Sequence, residues 1–370
     1  MVVRVYLKQA WNLMKQNPLF STLYIVGTGI SIVMTMVIAI VYYVRLAPVY
    51  PETNRMRTLV VKSAKMTNDE STHSANISYA MLKDWFYSLE SAEVSTGVFG
   101  TSYARVTNDK EEIPTYARYT DENFFRVFPL VFLEGKPFTE ADRRSGIHNV
   151  VLTDSYAQQL FGTTKGVVGK NFLMDYTNVK VVGVVKSGSF LTPDSYAQVY
   201  LPYSCRDGYD DEGSHWALGG YRVYILMKES KSVTDVQDEV LELVRKFNVS
   251  DMGDGWKLDL VGQPELYWHS TFRLWSNVAV DWGRVIWMFV GIFMVLLFVP
   301  AFNLSGMISA RMERQLPDLG IRKAFGASRR RLLVQIIWEN LLLTGLGTLL
   351  GLVIAWIVLA LSGYEIFSLF

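Results

Sequence analysis

Residues 318–333 read DLGIRKAFGASRRRLL and lie between two long apolar runs of a 370-residue chain. The segment contains five basic residues, a Gly-Ala pair suited to a tight turn and a serine suited to begin a helix. A short basic loop between two apolar runs is typical of the cytoplasmic side of a membrane protein. The segment therefore indicates a chain whose helices cross the bilayer on either side of it.

Three apolar runs are long enough to cross a bilayer, which needs about 20 apolar residues. They cover residues 19–44, 285–310 and 341–363, and none of them contains a charged residue. A cleaved signal peptide is the competing interpretation of the first run. That run exceeds the about 7–15 residues of a signal-peptide core, and no A-x-A site follows it. The sequence predicts an integral membrane protein with three α-helical spans.

The distribution of basic residues predicts the orientation of these spans. Arg4, Lys8 and Lys15 precede the first span, and seven basic residues lie within 311–331. Both segments should face the cytoplasm. The long stretch between the first two spans then lies outside, because long domains are translocated despite charges such as Arg45, Arg55 and Arg57. The net charge of +1 offers no support for binding to nucleic acid.

The predicted chain organisation follows from these boundaries. In order it comprises a cytoplasmic interfacial helix (1–18), a first transmembrane helix with its stalk (19–45), an extracytoplasmic domain (46–283), a second transmembrane helix (284–310), a cytoplasmic loop (311–331), a third transmembrane helix (332–363) and an extracytoplasmic end (364–370). The interfacial helix is inferred from apolar and basic residues on opposite helical faces of residues 3–15. A frayed tail is the alternative.

The extracytoplasmic domain mixes strand and helix patterns, which predicts a large α+β domain of two subdomains. Strands are expected at 57–62, 180–185 and 221–227, where β-branched and aromatic residues cluster, and helices at 78–89 and 234–248. Residues 205–220 read as a loop or a subdomain joint. Cys205 is the only cysteine, so an internal disulfide is excluded.

Small and polar residues stand at regular positions in the spans. Gly27, Ser31, Thr35 and Ala39 recur every four residues in the first span, as do Gly347, Gly351 and Ala355 in the third. Such stripes let helices approach closely, either within one chain or between subunits. Asn303 follows Pro300 in the second span, where it serves either a polar pathway or backbone groups freed by a proline kink. Glu339 is an intramembrane ionisable residue with either a buried partner or a path to the interface.

Residues with catalytic or metal-binding spacing are missing from the sequence. The four histidines (His73, His148, His215 and His269) occur singly, without a zinc motif, and no nucleophile elbow or phosphate-binding loop is present. We therefore predict no catalytic, cofactor-binding or metal site and no enzyme activity for this chain.

The basic residues after Ser328 need an explanation beyond helix stability. Arg329, Arg330 and Arg331 follow the predicted helix cap, where positive charge opposes the helix dipole. Anchoring to anionic lipid is one explanation. Docking on an acidic partner surface is the other, and both stay open.

The segment 319–351, LGIRKAFGASRRRLLVQIIWENLLLTGLGTLLG, resembles the signature of MacB/FtsX-type ABC transporter permeases. A second block, 122–186, is similar in order and spacing to the extracytoplasmic domain of MacB-like members. The resemblance implies that a short cytoplasmic helix contacts an ATPase subunit. It assigns to this helix Leu319, Gly320, Ile321, Arg322, Lys323, Ala324, Phe325 and Gly326. An amphipathic segment lying on lipid is the alternative.

The resemblance also implies the partners. The chain would be a permease subunit that pairs with a second permease subunit, identical or not, and with separate ATPase subunits that bind ATP and Mg²⁺. Nucleotide binding would move the helices and the outer domain, a mechanism called mechanotransmission, in a bacterial inner membrane. An export system would add a periplasmic adaptor and an outer-membrane channel.

Two departures from the family pattern are visible. Family permeases typically have four spans, whereas this sequence ends just after the third, so the fourth family span is missing from it, either through truncation or through divergence. MacB itself carries a fused ATPase domain, which this sequence lacks. The alternative function is a non-transporting, FtsX-like regulator of a cell-wall hydrolase or of a peptide-sensing complex.

Overall fold

The structure is a computed structural model that describes residues 18–107, 112–190, 192–210, 216–250, 255–298 and 328–368, with positions 11, 15, 317, 320, 321, 324 and 325. It divides into two compact units. The helical unit comprises Met1–Tyr42 and Trp282–Ile366, and the sheet unit comprises Tyr43–Asp281 with Phe367–Phe370.

The helices, in chain order, are α1 Pro18–Leu46, α2 Tyr79–Asp84, α3 Phe124–Val127, α4 Glu140–Arg144, α5 Asp154–Phe161, α6 Val233–Val249, α7 Trp282–Phe298 and α8 Arg329–Ser368. Short 3-10 helices lie at Phe86–Ser88, Tyr203–Cys205 and His269–Phe272.

The strands are β1 Thr58–Val61, β2 Ala64–Thr67, β3 Thr72–Ile77, β4 Ala92–Thr107, β5 Glu112–Thr120, β6 Phe132–Gly135, β7 Asn149–Thr153, β8 Asn171–Met174, β9 Thr177–Val185, β10 Val199–Pro202, β11 Leu218–Gly219, β12 Tyr221–Met227, β13 Lys257–Asp259 and β14 Glu265–Leu266.

The strands pair in the order β13-β2-β3-β12-β4-β5-β10-β7-β9-β6, and β1 joins β12 to β14. Most pairs are antiparallel, but β5 with β10 and β7 with β9 are parallel. Both faces of the central strands are buried. Leu59 belongs to the larger core cluster, whereas its neighbour Val60 lies opposite Tyr224 in the smaller one. Burial on both faces explains why β1 and β12 are almost continuously apolar.

Helices cover the two faces of the sheet. Val236, Val240 and Val244 of α6 lie in the larger cluster, and Phe124 and Phe128 at α3 lie in the smaller one. α6 begins with a capping box in which Ser232 and Asp235 bond reciprocally to each other's backbone, an arrangement that contributes about 1 kcal/mol.

The predicted strands at 57–62, 180–185 and 221–227 are confirmed as β1, β9 and β12. The helix at 234–248 is confirmed as α6. The single helix expected at 78–89 is wrong in its second half, where α2 ends at Asp84 and a 3-10 helix continues. There the Ser88 hydroxyl donates to the carbonyls of Asp84 and Trp85, and Phe86 is buried. The division into two subdomains stays a prediction.

Among the described residues, two helices are long and apolar enough to cross a membrane, Ser21–Leu46 and Ile336–Val358. α7 is a shorter apolar helix, and residues 299–316 of the predicted second span and loop, including Pro300 and Asn303, lie outside the described residues. Of the predicted interfacial helix, Trp11 and Lys15 are helical and the rest of 1–17 is not described.

Candidate functional site

The segment assigned to ATPase coupling is described in part. Gly320, Ile321 and Ala324 are helical, and the Phe325 N–H donates to the Ile321 carbonyl at 3.1 Å. The Phe325 side chain is 88% exposed and that of Ile321 is 57% exposed. The described positions thus form a helical turn that presents two large apolar side chains four residues apart. Leu319, Arg322, Lys323 and Gly326 lie outside the described residues.

The three arginines predicted to contact lipid or a partner lie in the first turn of α8. That turn contains no acidic residue, and the Arg330 side chain is exposed. The side chains of Arg329 and Arg331 are not described, nor is that of Glu339, which lies farther along the same helix. The choice between lipid and protein for these residues therefore stays a prediction.

The glycines of α8 lie against α1. A Cβ atom built on Gly347 would stand 2.7 Å from Cβ of Thr28, and one built on Gly351 would stand 2.7 Å from the Gly29 carbonyl oxygen. One turn away, the hydroxyls of Tyr24 and Thr344 lie 2.9 Å apart. Ala355 of the same predicted stripe is buried.

The predicted small-residue stripe of α1 lies beside this contact. Ser31 donates to the carbonyl of Gly27 at 3.0 Å, and Thr35 donates to that of Ser31 at 2.8 Å. Thr35 and Ala39 are exposed. The side of α1 that meets α8 carries Thr28 and Gly29 instead, because they are the residues that face the two glycines of α8.

A group of charged residues that the sequence analysis did not single out surrounds the end of α1. We call Arg45, Glu52, Arg55, Lys62, Asp194 and Tyr267 the junction cluster; all of them belong to the sheet unit. Arg55 is 2% exposed, forms an ion pair with Glu52 and donates from Nη1 to the Val44 carbonyl at 2.7 Å. Its guanidinium lies 5.2 Å from the ring centre of Tyr267.

Asp194 is the second carboxylate of the junction cluster. Its Oδ2 accepts from Nζ of Lys62 at 2.8 Å, and its Oδ1 lies 3.6 Å from Nη1 of Arg222. Burial opposes ionisation, but the positive charges of Lys62, Arg222 and Arg118 outweigh it and hold the pKa of Asp194 below its ordinary value. The carboxyl is therefore an anion that these cations share.

The junction cluster borders a cavity of about 170 Å³. Its lining consists of Arg45, Arg55, Lys62, Pro193, Asp194, Tyr267, Ser270 and Thr271. The last turn of α1 and the 3-10 helix His269–Phe272 both contribute to this lining. Sequence patterns could not find this site, since its lining combines residues near the end of α1 with Asp194 and Tyr267, which lie far along the chain.

Another buried carboxylate, that of Asp121, belongs to the sheet unit but not to the junction cluster. Asp121 accepts from the Tyr87 hydroxyl at 2.6 Å, from the Thr96 hydroxyl at 2.7 Å and from the Gly97 N–H at 2.8 Å. Burial raises the pKa of Asp121 to about 6, against the opposing effect of these donors. Among the described residues, no group of three histidine, cysteine, aspartate or glutamate side chains is placed to hold a metal ion.

Two family models match the chain in sequence order. Residues 20–243 match the MacB-like periplasmic core domain, and residues 277–370 match the FtsX-like permease C-terminal domain. The first match alone covers more than half of the chain, and the two leave only short segments uncovered.

Among curated proteins, the chain is 22% identical over 268 residues to the macrolide export ATP-binding/permease protein MacB of Escherichia coli O157:H7. It is 25% identical over 237 residues to the pyoverdine export ATP-binding/permease protein PvdT of Pseudomonas entomophila. These alignments cover 71% and 62% of this chain but only 39% and 34% of the relatives. The chain thus matches less than half the length of either relative.

Among solved structures, the periplasmic region of MacB from Actinobacillus actinomycetemcomitans is similar at 17% identity and a TM-score of 0.39. That similarity covers 54% of this chain and 88% of the solved chain.

Proposed function

Because the chain belongs to the family of MacB/FtsX-type ABC transporter permeases, we propose that it is the membrane-spanning subunit of an ATP-driven exporter. The observation that carries the proposal is the order of the two family matches. A MacB-like periplasmic core domain precedes an FtsX-like C-terminal domain, and apolar helices come before and after the sheet unit in the sequence. The sheet unit would face the periplasm, and the N-terminus and residues 311–331 would face the cytoplasm.

ATP hydrolysis would take place on a partner chain. The relatives are named ATP-binding/permease proteins, which supports an ATP-binding component in the same assembly. A separate ATPase subunit would carry ATP and Mg²⁺. The exposed side chains of Ile321 and Phe325 would fill an apolar groove of that subunit, and Arg322 and Lys323 would steer the encounter through its acidic rim.

Mechanotransmission is supported by the continuity of α1. This helix begins in the apolar segment at Pro18, and its last turn belongs to the sheet unit, where Arg55 bonds to the Val44 carbonyl. A nucleotide that binds two arrangements of the helices with different affinity would shift the population of those arrangements. Displacement of α1 would then pass into the buried ion pair of Arg55 and Glu52.

Further partners follow from the same proposal. A second permease subunit, identical or not, would complete the membrane assembly in a bacterial inner membrane. A periplasmic adaptor and an outer-membrane channel would extend the export route. The two named relatives export a macrolide and pyoverdine, so the non-transporting regulator of a cell-wall hydrolase or peptide sensor is the less supported alternative.

Co-purification tests the ATPase partnership. The tagged full chain would be expressed together with the ATPase encoded next to it and isolated in mild detergent. We expect a stable complex whose ATPase activity differs from that of the isolated ATPase. An ATPase that neither co-purifies nor changes its activity would contradict the proposed function.

A further inference from the structure

The cavity of the junction cluster carries an excess of positive charge. Its lining contains three cationic side chains and one carboxylate, Asp194. The nearest charged partners add one group of each sign, since Glu52 pairs with Arg55 and Arg222 approaches Asp194. Two positive charges therefore remain without a carboxylate. A bound anion would compensate this excess of positive charge through charge-assisted hydrogen bonds.

Arg45, Arg55 and Lys62 of the lining retain hydrogen-bond donors for a ligand. Nε of Arg55 is buried and has no acceptor, although the residue is only 2% exposed. No carboxylate of the described residues lies within 4 Å of the Arg45 guanidinium. Lys62 uses one of its three ammonium donors on Asp194, so two are left for another acceptor. Ser270 and Thr271 complete the polar lining.

The position of Arg45 indicates which anion is available. It lies in the last turn of α1, directly after the apolar run 19–44 that is long enough to cross a bilayer. Lipid phosphate groups lie at the ends of such runs. Guanidinium groups bind phosphate through paired donors, and a cavity of about 170 Å³ leaves room for a tetrahedral oxyanion.

From these observations we propose that the cavity between Arg45, Arg55 and Lys62 binds a phosphate group, either of an anionic phospholipid or of free phosphate. The ligand would join the end of α1 to the segment around Thr271, so lipid composition or phosphate would tune how firmly the two are held. The proposal does not depend on an ATPase partner.

Binding measurements on the purified full chain in neutral maltoside detergent test this site. The probes are short-chain phosphatidylglycerol and inorganic phosphate, each titrated against a potassium chloride blank of equal ionic strength. Arg45→Gln removes an exposed lining cation, and Arg144→Gln is the matched control, because Arg144 is 74% exposed and lies outside the cavity. Thr271→Val tests the lining without changing charge.

We expect wild-type binding to weaken about fivefold or more in Arg45→Gln, the scale of one basic residue near a lipid surface. Thr271→Val should weaken it about twofold to fivefold, and Arg144→Gln by less than about twofold. Binding of phosphatidylglycerol alone assigns the site to a headgroup, whereas binding of inorganic phosphate assigns it to the free ion. The proposal is overturned if neither probe binds above the chloride blank, or if Arg45→Gln and Arg144→Gln behave alike.

Discussion

Nη1 of Arg55 lies 2.7 Å from the carbonyl oxygen of Val44, so a buried guanidinium holds the last turn of the first long helix. Nη2 of Arg55 meets Glu52, whose other oxygen accepts from the Ser195 hydroxyl at 2.7 Å. The end of α1 is thus tied, through Arg55 and Glu52, to Ser195, which lies 143 positions after Glu52. The stability of this junction and its possible motion rest on the same bonds.

Replacing Arg55 by glutamine should destabilise the protein by about 3–5 kcal/mol, because the buried Glu52 carboxylate loses its charged partner. Thermal and urea unfolding of the detergent-solubilised chain, followed by tryptophan fluorescence, would measure the effect. Arg126→Gln is the matched control, since Arg126 is 58% exposed and its ion pair with Glu93 is long, at 3.9 Å. It should cost less than about 1 kcal/mol. Equal losses for the two variants would contradict a structural role for the buried pair.

Gly351→Ala should destabilise the contact between α1 and α8, whereas Gly345→Ala should not. A Cβ atom at position 351 would stand 2.7 Å from the Gly29 backbone oxygen, but one at position 345 meets nothing within 4 Å. We expect a loss of about 1–3 kcal/mol for the first change. The second should be neutral or stabilising by up to about 1 kcal/mol through helix propensity. Thermal unfolding in one detergent compares the two; a Gly351→Ala protein as stable as Gly345→Ala would exclude close packing at this glycine.

Asp121 should make stability decrease as pH rises. The folded protein holds this proton with a pKa of about 6, against an ordinary value of 3.8, so the protonated group favours the folded state. This contribution is fully present below about pH 4 and is lost as pH approaches 6. The raised pKa corresponds to about 3 kcal/mol. Asp121→Asn removes the titrating group, so wild-type stability should fall relative to the variant by roughly that amount between pH 4 and 7. A constant difference across this range would show that the carboxyl is already ionised at pH 4.

The membrane character and the central strands were predictable because each depends on local composition. An apolar run such as 19–44 identifies a span by its length. The sheet buries Leu59 and Val60 on opposite faces, so β1 is an almost continuous apolar run that the sequence reveals. The hairpin between β8 and β9 was missed because Asp175 and Tyr176 turn with positive φ angles of 47° and 63°, without the usual glycine. Hydrogen bonds between Asp175 and the backbone of Arg105 support that turn, and a local sequence pattern cannot predict such distant contacts.

The junction cluster was missed for the same reason. Arg45 and Arg55 appear in the sequence only as charges that translocation tolerates, and the residues that complete the cluster, Asp194 and Tyr267, lie far along the chain. The pair of Arg55 and Glu52 is local, but its burial depends on distant residues such as Ser195, and periodicity cannot predict that packing. The small-residue stripe of α1 was predicted in part. The four-residue spacing identified small residues in this helix, but the packing of the helices determines that Gly29, and not Gly27, contacts Gly351.

The coupling of ATP hydrolysis to the turn at Ile321 and Phe325 tests the central claim most directly. The double variant Ile321→Ala, Phe325→Ala would be reconstituted in liposomes with its ATPase partner and compared with Tyr176→Ala, which removes an aromatic side chain that is 82% exposed in the sheet unit. We predict that the double variant loses at least about tenfold in affinity for the ATPase, as truncation of apolar anchors at an interface does. The change in ATPase activity caused by the permease should disappear with it, while Tyr176→Ala retains both. Full coupling in the double variant would contradict the assignment of this segment as the contact through which ATP drives the permease.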